Sequence, residues 1–175
     1  MPDTEKPSVS VRPATIFDLP WITGIYNHYI INTHITFDLD PVTPADRESW
    51  FAQFAPVGPH RLFVATADDV VVGYAGTHEY HAKRAYETTV ETTIYLDPGF
   101  TGRGIGSLLY AALFASLAGE DVELAVAGIA LPNEASFKLH QRFGFRPAGI
   151  MHRVGRKFEK YWDVAWLEKP LGASS

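Results

Sequence analysis

Hydrophobic positions follow two different periods along the chain, and segments of each period alternate. Period-2 alternation and β-branched runs predict strands at 8–14, 60–67, 70–80, 88–96 and 122–130, and two more strands within 145–171 that meet near Gly155. Apolar residues at helical spacing predict helices at 14–30, 42–54, 105–116 and 133–144. This order indicates one α/β (α+β) domain, with a mixed, mostly antiparallel twisted sheet of about seven strands flanked by about four helices.

Local signals mark the ends of several elements. Asp68 and Asp69 separate two strands and predict a hairpin turn. Thr43, followed by Pro44, is a candidate N-cap of the second helix. Asn133 should cap the last helix, and Gly144 should close it. The third helix is expected to bury one face, made of Ile105, Leu108, Leu109, Ala112, Leu113 and Ser116.

Composition and charge narrow the classes of function. The chain has 175 residues, 46% of them hydrophobic and 20% charged, which is ordinary for a globular protein of one domain. A net charge of −5 argues against nucleic acid as a partner. There is no cysteine, which excludes disulfides and thiolate catalysis. The polar N-terminus and the lack of a long apolar run predict a cytoplasmic protein that makes no membrane contact. The histidines show no metal-ligand spacing, so no metal is expected.

A cluster of glycines precedes the third predicted helix. The stretch LDPGFTGRGIGSLLYAALF, residues 96–114, has glycine at 99, 102, 104 and 106. Helix N-termini attract anions, and glycine lets a guest approach the backbone closely. The spacing is neither a Walker A motif nor a GxGxxG dinucleotide fingerprint. From the residues alone, a phosphate-binding loop and a tight strand-to-helix turn both remain open.

This loop resembles the acyl-CoA pyrophosphate loop of the GCN5-related N-acetyltransferase (GNAT) superfamily, and the resemblance covers nearly the whole chain. Four further segments are similar to its phosphinothricin and methionine sulfoximine N-acetyltransferase branch: IYNHYIINTHITFD, VETTIYL, AGIALPNEASFKLHQRFGF and KFEKYWDVAW. The resemblance implies a GNAT domain over residues 8–171, with flexible termini at 1–7 and 172–175. It also implies acetyl transfer to the amine of a small amino-acid-like acceptor, by direct attack in a ternary complex.

Acetyl-CoA is the co-substrate that the resemblance implies. The loop residues expected to bind its pyrophosphate are Gly102, Arg103, Gly104, Ile105, Gly106 and Ser107. The backbone of Ile94, Tyr95 and Leu96 should line the pantetheine arm, and Asn133 should contact CoA besides capping its helix. Thr101 stands where the family usually has Arg or Gln, which leaves Arg103 and the backbone to hold the phosphates.

Two residues are candidates for the chemistry. From the residues alone, Glu91 is a strand glutamate that more often faces water, and His140 is more often structural. The resemblance changes both interpretations. The family's general base falls on Glu91, acting directly or through water, and the branch's active-site histidine falls on His140, with a role in substrate orientation or proton transfer.

The acceptor pocket and the partners rest on weaker signals. Phe37 and Tyr86 match aromatic positions near the branch's acceptor site, and Lys83 and Arg84 are candidates to receive a substrate carboxylate or, equally, part of a solvated loop. A few extra residues within THEYHAKRAY loosen the alignment there. A homodimer is expected, and the tail aromatics fit either sheet core or a dimer surface: Tyr161, Trp162 and Trp166.

Other functions compete with this interpretation. The acceptor can instead be a polyamine, an aminoglycoside or a protein N-terminus, and the negative net charge is compatible with a cationic acceptor. A non-catalytic acyl-CoA-binding module is the alternative of a different class. Intact Glu91 and His140 argue against it.

Overall fold

The computed structural model describes residues 8–172 of the chain. Its strands are β1 (Val9–Pro13), β2 (Leu62–Ala67), β3 (Val70–Glu79), β4 (Thr89–Leu96), β5 (Leu124–Ala130), β6 (Arg146–Lys157) and β7 (Lys160–Pro170). Its α-helices are α1 (Leu19–Asn32), α2 (Glu48–Phe51), α3 (Ile105–Ser116) and α4 (Glu134–Arg142). These numbers of strands and helices confirm the predicted fold. The termini 1–7 and 172–175 were expected to be flexible, and all of these residues except Gly172 lie outside the described ones.

The seven strands form one sheet in the order β1-β2-β3-β4-β5-β7-β6. Every neighbouring pair is antiparallel except β4 and β5, which run parallel in the middle of the sheet. The hairpin between β2 and β3 turns at Asp68 and Asp69, whose φ angles of +48° and +66° suit a type I′ turn. The predicted mixed, mostly antiparallel sheet is thereby confirmed.

Helices cover both faces of this sheet. On one face, α3 buries Leu109 and Leu113 against Val90 of β4, and α4 packs beside α3. On the other face, α1 buries Ile22 against the β2–β3 hairpin, which includes Tyr74. Because the two layers meet the sheet on opposite sides, the central strand β4 separates two hydrophobic cores. No helix in residues 8–172 is long and apolar enough to cross a membrane.

Two helix predictions need correction. The helix predicted at 42–54 is only a 3₁₀ turn, Ala45–Arg47, followed by the single turn of α2. Thr43 nevertheless caps it, because its hydroxyl accepts from the Asp46 amide at 3.2 Å. The buried face of α3 is rotated around the helix axis relative to the predicted one. Leu108 is 48% exposed, and Tyr110, which the apolar pattern left out, is fully buried.

The turn between the last two strands lies further along the chain than predicted. It falls at Phe158 and Glu159, whose φ angles are +53° and +59°, and Gly155 lies inside β6. The glycine has a different reason to be there. A Cβ at Gly155 would approach the Phe37 ring to 2.2 Å, so the small residue makes room for that ring. The pattern missed this because the contact joins residues that are far apart in sequence.

Candidate active site

A cleft opens where the two parallel strands diverge. Pairing between β4 and β5 ends at the partners Glu91 and Val126. Beyond this point the rest of β4, 92–96, and of β5, 127–130, line a cleft of about 660 Å³. Each strand keeps its outer partner, β3 or β7, so the two inner edges face each other without a strand between them. Such an edge can accept an extended guest by strand-like hydrogen bonding.

The glycine loop forms one end of the cleft. Gly102 and Gly104 have φ angles of +72° and +81°, in the left-handed region that side chains disfavour. Gly104 is the N-cap residue of α3. The first amides of a helix have no carbonyl partner in a preceding turn, so they are free to bind an anion. The loop therefore fits the pyrophosphate of a CoA thioester by its backbone.

Gly106 has a different role from the other loop glycines. A Cβ at Gly106 would lie 3.1 Å from Leu139 Cδ2, so the residue allows α3 to pack closely on α4. Asn133 caps α4, because its Oδ1 accepts from the Ser136 amide at 3.2 Å, and it also lines the cleft. Arg103 is exposed, and its guanidinium lies 4.9 Å from the centre of the Phe100 ring.

Glu91 stands at the point where the strands separate. Its side chain shares a sheet face with Tyr95, and its cross-strand partner on β3 is His78. Burial raises the pKa of Glu91, and the nearby His78 partly opposes that rise. A carboxylate with a raised pKa at the edge of a cleft has the character of a general base.

A buried hydrogen-bonded pair, Tyr110 of α3 and His140 of α4, lines the side of the cleft opposite Glu91. His140 is 3% exposed. Its Nδ1 lies 2.8 Å from the Ser136 carbonyl, which can only accept, so Nδ1 carries the proton. Its Nε2 therefore accepts from the Tyr110 hydroxyl at 2.7 Å. Burial lowers the pKa of His140, which favours this neutral form. The Tyr110 hydroxyl also lies 3.3 Å from that of Thr92.

The Tyr110→Phe substitution tests this buried hydrogen bond. Loss of the hydroxyl would leave the Nε2 atom of His140 buried without a donor, which costs about 1–3 kcal/mol of folding free energy. For a chain of this size we expect the Tm to fall by roughly 2–10 °C in a thermal unfolding experiment. Tyr80→Phe, at a partly exposed tyrosine outside the β6–β7 hairpin, is the matched control and should leave the Tm unchanged. An equal Tm for both variants would contradict the described hydrogen bond.

Most residues predicted for the site line this one cleft. They are Glu91, Ile94, Tyr95, Leu96, Gly102, Gly104, Ile105, Gly106, Ser107, Asn133 and His140. The acceptor candidates are placed elsewhere. Phe37 packs over Gly155, Lys83 and Arg84 are exposed, and Tyr86 lines a separate cavity of about 260 Å³ with Trp166.

Sequence reasoning missed several polar cleft residues, among them Tyr110, His78, Tyr74 and Arg47. The signal for Arg47 was present. It precedes Trp50, Phe51 and Phe54 by three, four and seven residues, so it falls on the apolar face of its helical segment. Within residues 8–172, no group of three or more His, Asp or Glu side chains is placed to hold a metal ion.

A sheet opened between two parallel strands, with a glycine loop at a helix N-terminus beside it, defines an acyl-CoA-dependent transferase. The model of the Acetyltransferase (GNAT) family matches residues 25–145, which is more than half of the chain. The chain belongs to the GNAT acetyltransferase family and uses acetyl-CoA to acetylate an amine.

Several N-acetyltransferases match this chain over most of its length and most of their own. A phosphinothricin N-acetyltransferase of Streptomyces coelicolor is 55% identical, over 98% of this chain and 100% of the relative. An L-methionine sulfoximine/L-methionine sulfone acetyltransferase of Pseudomonas aeruginosa is 34% identical, over 94% and 95%. A GNAT superfamily phosphinothricin acetyltransferase of Sinorhizobium meliloti, solved in complex with AcCoA, superimposes with a TM-score of 0.88 at 30% identity, over 94% of this chain and 89% of that one.

Proposed function

We propose that this enzyme acetylates the α-amine of a small amino acid of the phosphinothricin or methionine sulfoximine type, by direct attack in a ternary complex. The observation that carries the proposal is the position of Glu91, a carboxylate with a raised pKa in the same cleft as the glycine loop. The relatives that act on these two acceptors match nearly the full length of this chain, which supports the choice of acceptor.

Different residues of the cleft have different roles in this proposal. Bound acetyl-CoA supplies the acetyl thioester, with its pyrophosphate on the amides of the loop around Gly104. Glu91 takes the proton that the acceptor ammonium must lose before its nitrogen can attack the thioester carbonyl. As the C–N bond forms, the C–S bond breaks and CoA leaves as a thiolate, which takes up the remaining proton of the amine. His140 is a positioning residue, because its Nε2 holds the Tyr110 hydroxyl in place at the cleft. Backbone groups of 94–96 hold the pantetheine arm as an additional strand would.

The loop that contains Lys83 and Arg84 remains a candidate part of the acceptor site. Arg84 is 95% exposed and lies 4.0 Å from Glu87, so this pair is loose. Its cations are free to change partner when a substrate carboxylate approaches. Neither Phe37 nor Tyr86 lines the cleft of the described chain. Their contact with the acceptor remains a prediction.

We further propose that the enzyme works in the cytoplasm as a homodimer. The outer hairpin β6–β7 supports the dimer, because several of its apolar side chains are about half exposed on the described chain: Ile150, Met151, Val154, Phe158 and Tyr161. Apolar surface of this kind is commonly covered in an assembly. The domain limits proposed for the catalytic unit are 8–171.

A panel of acceptors tests the proposed substrate class. Initial rates of thiol release from acetyl-CoA are measured with methionine sulfoximine, phosphinothricin, spermidine, an aminoglycoside and a short peptide in one buffer. We expect one of the two amino acid analogues to have the highest kcat/KM. A lead of tenfold or more for spermidine, the aminoglycoside or the peptide would contradict the amino-acid proposal. Binding of acetyl-CoA without turnover of any acceptor would favour the non-catalytic module.

A further inference from the structure

The loop that follows α1, residues 33–38, connects the two sides of the cleft. We call it the α1 loop. It starts from α1, which packs on the β2–β3 hairpin, and its Ile35 lines the cleft. The His34 ring stacks on that of Trp162 in β7, with ring centres 4.1 Å apart, and its Nε2 donates to the Pro132 carbonyl at 3.0 Å. Because Pro132 follows β5, the loop passes across the gap between β4 and β5.

A buried lysine holds the middle of this loop. Lys157, the last residue of β6, is 4% exposed, and its Nζ donates to the Thr36 carbonyl at 2.8 Å. The centre of the Phe158 ring lies 5.3 Å from the same nitrogen. Among residues 8–172, no carboxylate lies within ion-pair distance of this ammonium group. Burial lowers the pKa of Lys157, and the charge of Asp38 partly opposes that change.

Packing alone does not account for a lysine at this position. Removal of an ammonium group from water is unfavourable unless hydrogen bonds replace the water. A methionine would fill a similar volume without that penalty. The direct hydrogen bond of the Lys157 ammonium goes to the Thr36 carbonyl, so the charge serves to fix the α1 loop.

Thr36 connects this anchor to the wall of the cleft. Its hydroxyl lies 2.9 Å from the hydroxyl oxygen of Tyr26. Tyr26 donates its own proton to Asp38 at 2.7 Å, so Thr36 is the donor toward Tyr26. Tyr26 lines the cleft and meets the Tyr95 ring edge-on, with ring centres 5.2 Å apart. A continuous set of contacts therefore joins Lys157 to an aromatic wall of the cleft.

This wall lies on the sheet face that carries the candidate base. On β4, Glu91 and Tyr95 point to the same face, and α1 covers that face with Tyr26. The helix α3, with the glycine loop at its start, packs on the opposite face. An amine that reaches Glu91 therefore lies beside Tyr26 and Ile35, away from the phosphates of CoA.

We propose that Lys157 is a positioning residue, which holds the α1 loop across the cleft and so completes the wall of the acceptor site. The inference rests on the proposed role of Glu91, which places the acceptor on this face, and it applies to any amine acceptor. Without the ammonium group, the loop is held mainly by the side chains of His34 and Phe37, and it should spend part of its time away from the cleft. The acceptor then has to bind the docked fraction.

The kinetic test uses Lys157→Met and the acceptor of the panel that has the highest kcat/KM. We expect the KM for this acceptor to rise roughly tenfold, since a hydrogen bond to a charged group is lost, and kcat to fall less than threefold. The Kd for CoA, measured by calorimetric titration, should stay within twofold. A residue that only stabilises the fold would lower the Tm without separating KM from kcat. An unchanged acceptor KM would therefore overturn the proposal.

Three further variants serve as controls. Lys160→Met removes an exposed lysine that is the cross-strand partner of Lys157 on the same hairpin, and it should change neither constant. Lys157→Gln keeps a neutral donor, so it should show the same separation of KM from kcat with a smaller rise in KM, and it replaces Lys157→Met if that variant does not fold. Tyr26→Phe removes the hydroxyl that Thr36 contacts. If Lys157 acts through the loop, the double variant should have about the KM of the more affected single variant, and multiplied effects would overturn this route.

Proton NMR of the free enzyme tests the anchor without any turnover. The indole of Trp162 should shift the ring protons of His34 upfield, because the two rings are stacked, and His34→Gln identifies these resonances. In Lys157→Met the remaining shift should equal the docked fraction, which is about one tenth for a tenfold rise in KM. In Lys160→Met the shift should be complete. A complete shift in Lys157→Met would refute the anchor, whatever the activity. Loss of the shift in an enzyme that turns over no acceptor would refute only the proposed function.

Discussion

Replacement of Glu91 by glutamine should lower kcat roughly 10²–10⁴-fold, which is the range for loss of a general base. The amide keeps the shape of the side chain and cannot accept the ammonium proton at neutral pH. The affinity for acetyl-CoA should change much less, because the glycine loop follows the far end of 92–96, the stretch of β4 that is not paired with β5. Steady-state rates with a saturating acceptor, together with calorimetric titration of CoA, measure both quantities.

The pH dependence of kcat/KM tests the role of Glu91 as the base directly. Only the deprotonated carboxylate can act as a base, so activity falls as the pH drops through the pKa of Glu91. Burial raises that pKa, so the acidic limb of kcat/KM should lie above the ordinary glutamate value, and it should disappear in Glu91→Gln. His78 opposes the rise, so His78→Gln should move the limb to higher pH.

Glu87→Gln is the matched control for the loss of a carboxylate. Glu87 is exposed, lies four residues before Glu91 and does not line the cleft. Its substitution should leave kcat and the pH profile unchanged. A Glu91→Gln enzyme within a few-fold of the wild-type rate, with its acidic limb intact, would exclude Glu91 as the base.

Gly104→Val should weaken CoA binding by about 10²-fold or more. The φ angle of +81° is strained for a β-branched residue, so the loop would change conformation and turn its amides away from the phosphates. A Cβ at Gly104 meets no atom within 4 Å, so the loss would come from the backbone conformation and not from a clash with protein. Calorimetric titration with CoA measures the change in Kd.

Gly119→Val separates backbone strain from loss of the binding site. Gly119 has a φ angle of +84°, its Cβ would also meet no neighbour, and it lies beyond α3, outside the cleft. Both variants should lose roughly 1–3 kcal/mol of folding free energy from strain. Only Gly104→Val should lose affinity for CoA. Unchanged affinity in a folded Gly104→Val protein would show that this loop does not hold the phosphates.

The number, type and order of the elements could be predicted from the sequence alone, because they depend on local physics. Side chains repeat with period 2 in strands and 3.6 in helices, and caps such as Asn133 act within three residues. The glycine loop could be found in the same way, since a positive φ at Gly102 and Gly104 is a requirement of the backbone itself. The functional roles of Glu91 and His140 were predicted only from the resemblance to the GNAT family.

Contacts between distant residues were decided by the tertiary structure. The Tyr110 hydroxyl meets His140 thirty positions away, and the Phe37 ring lies over Gly155, so no local period could indicate either pairing. The divergence of β4 and β5 after Glu91 creates the cleft, and it depends on how strands from separate parts of the chain are paired. In the sequence, Arg47 precedes Trp50 and Phe51 at helical spacing, which predicts contact with these aromatic residues. Its burial follows only from the rings and the sheet that close around it.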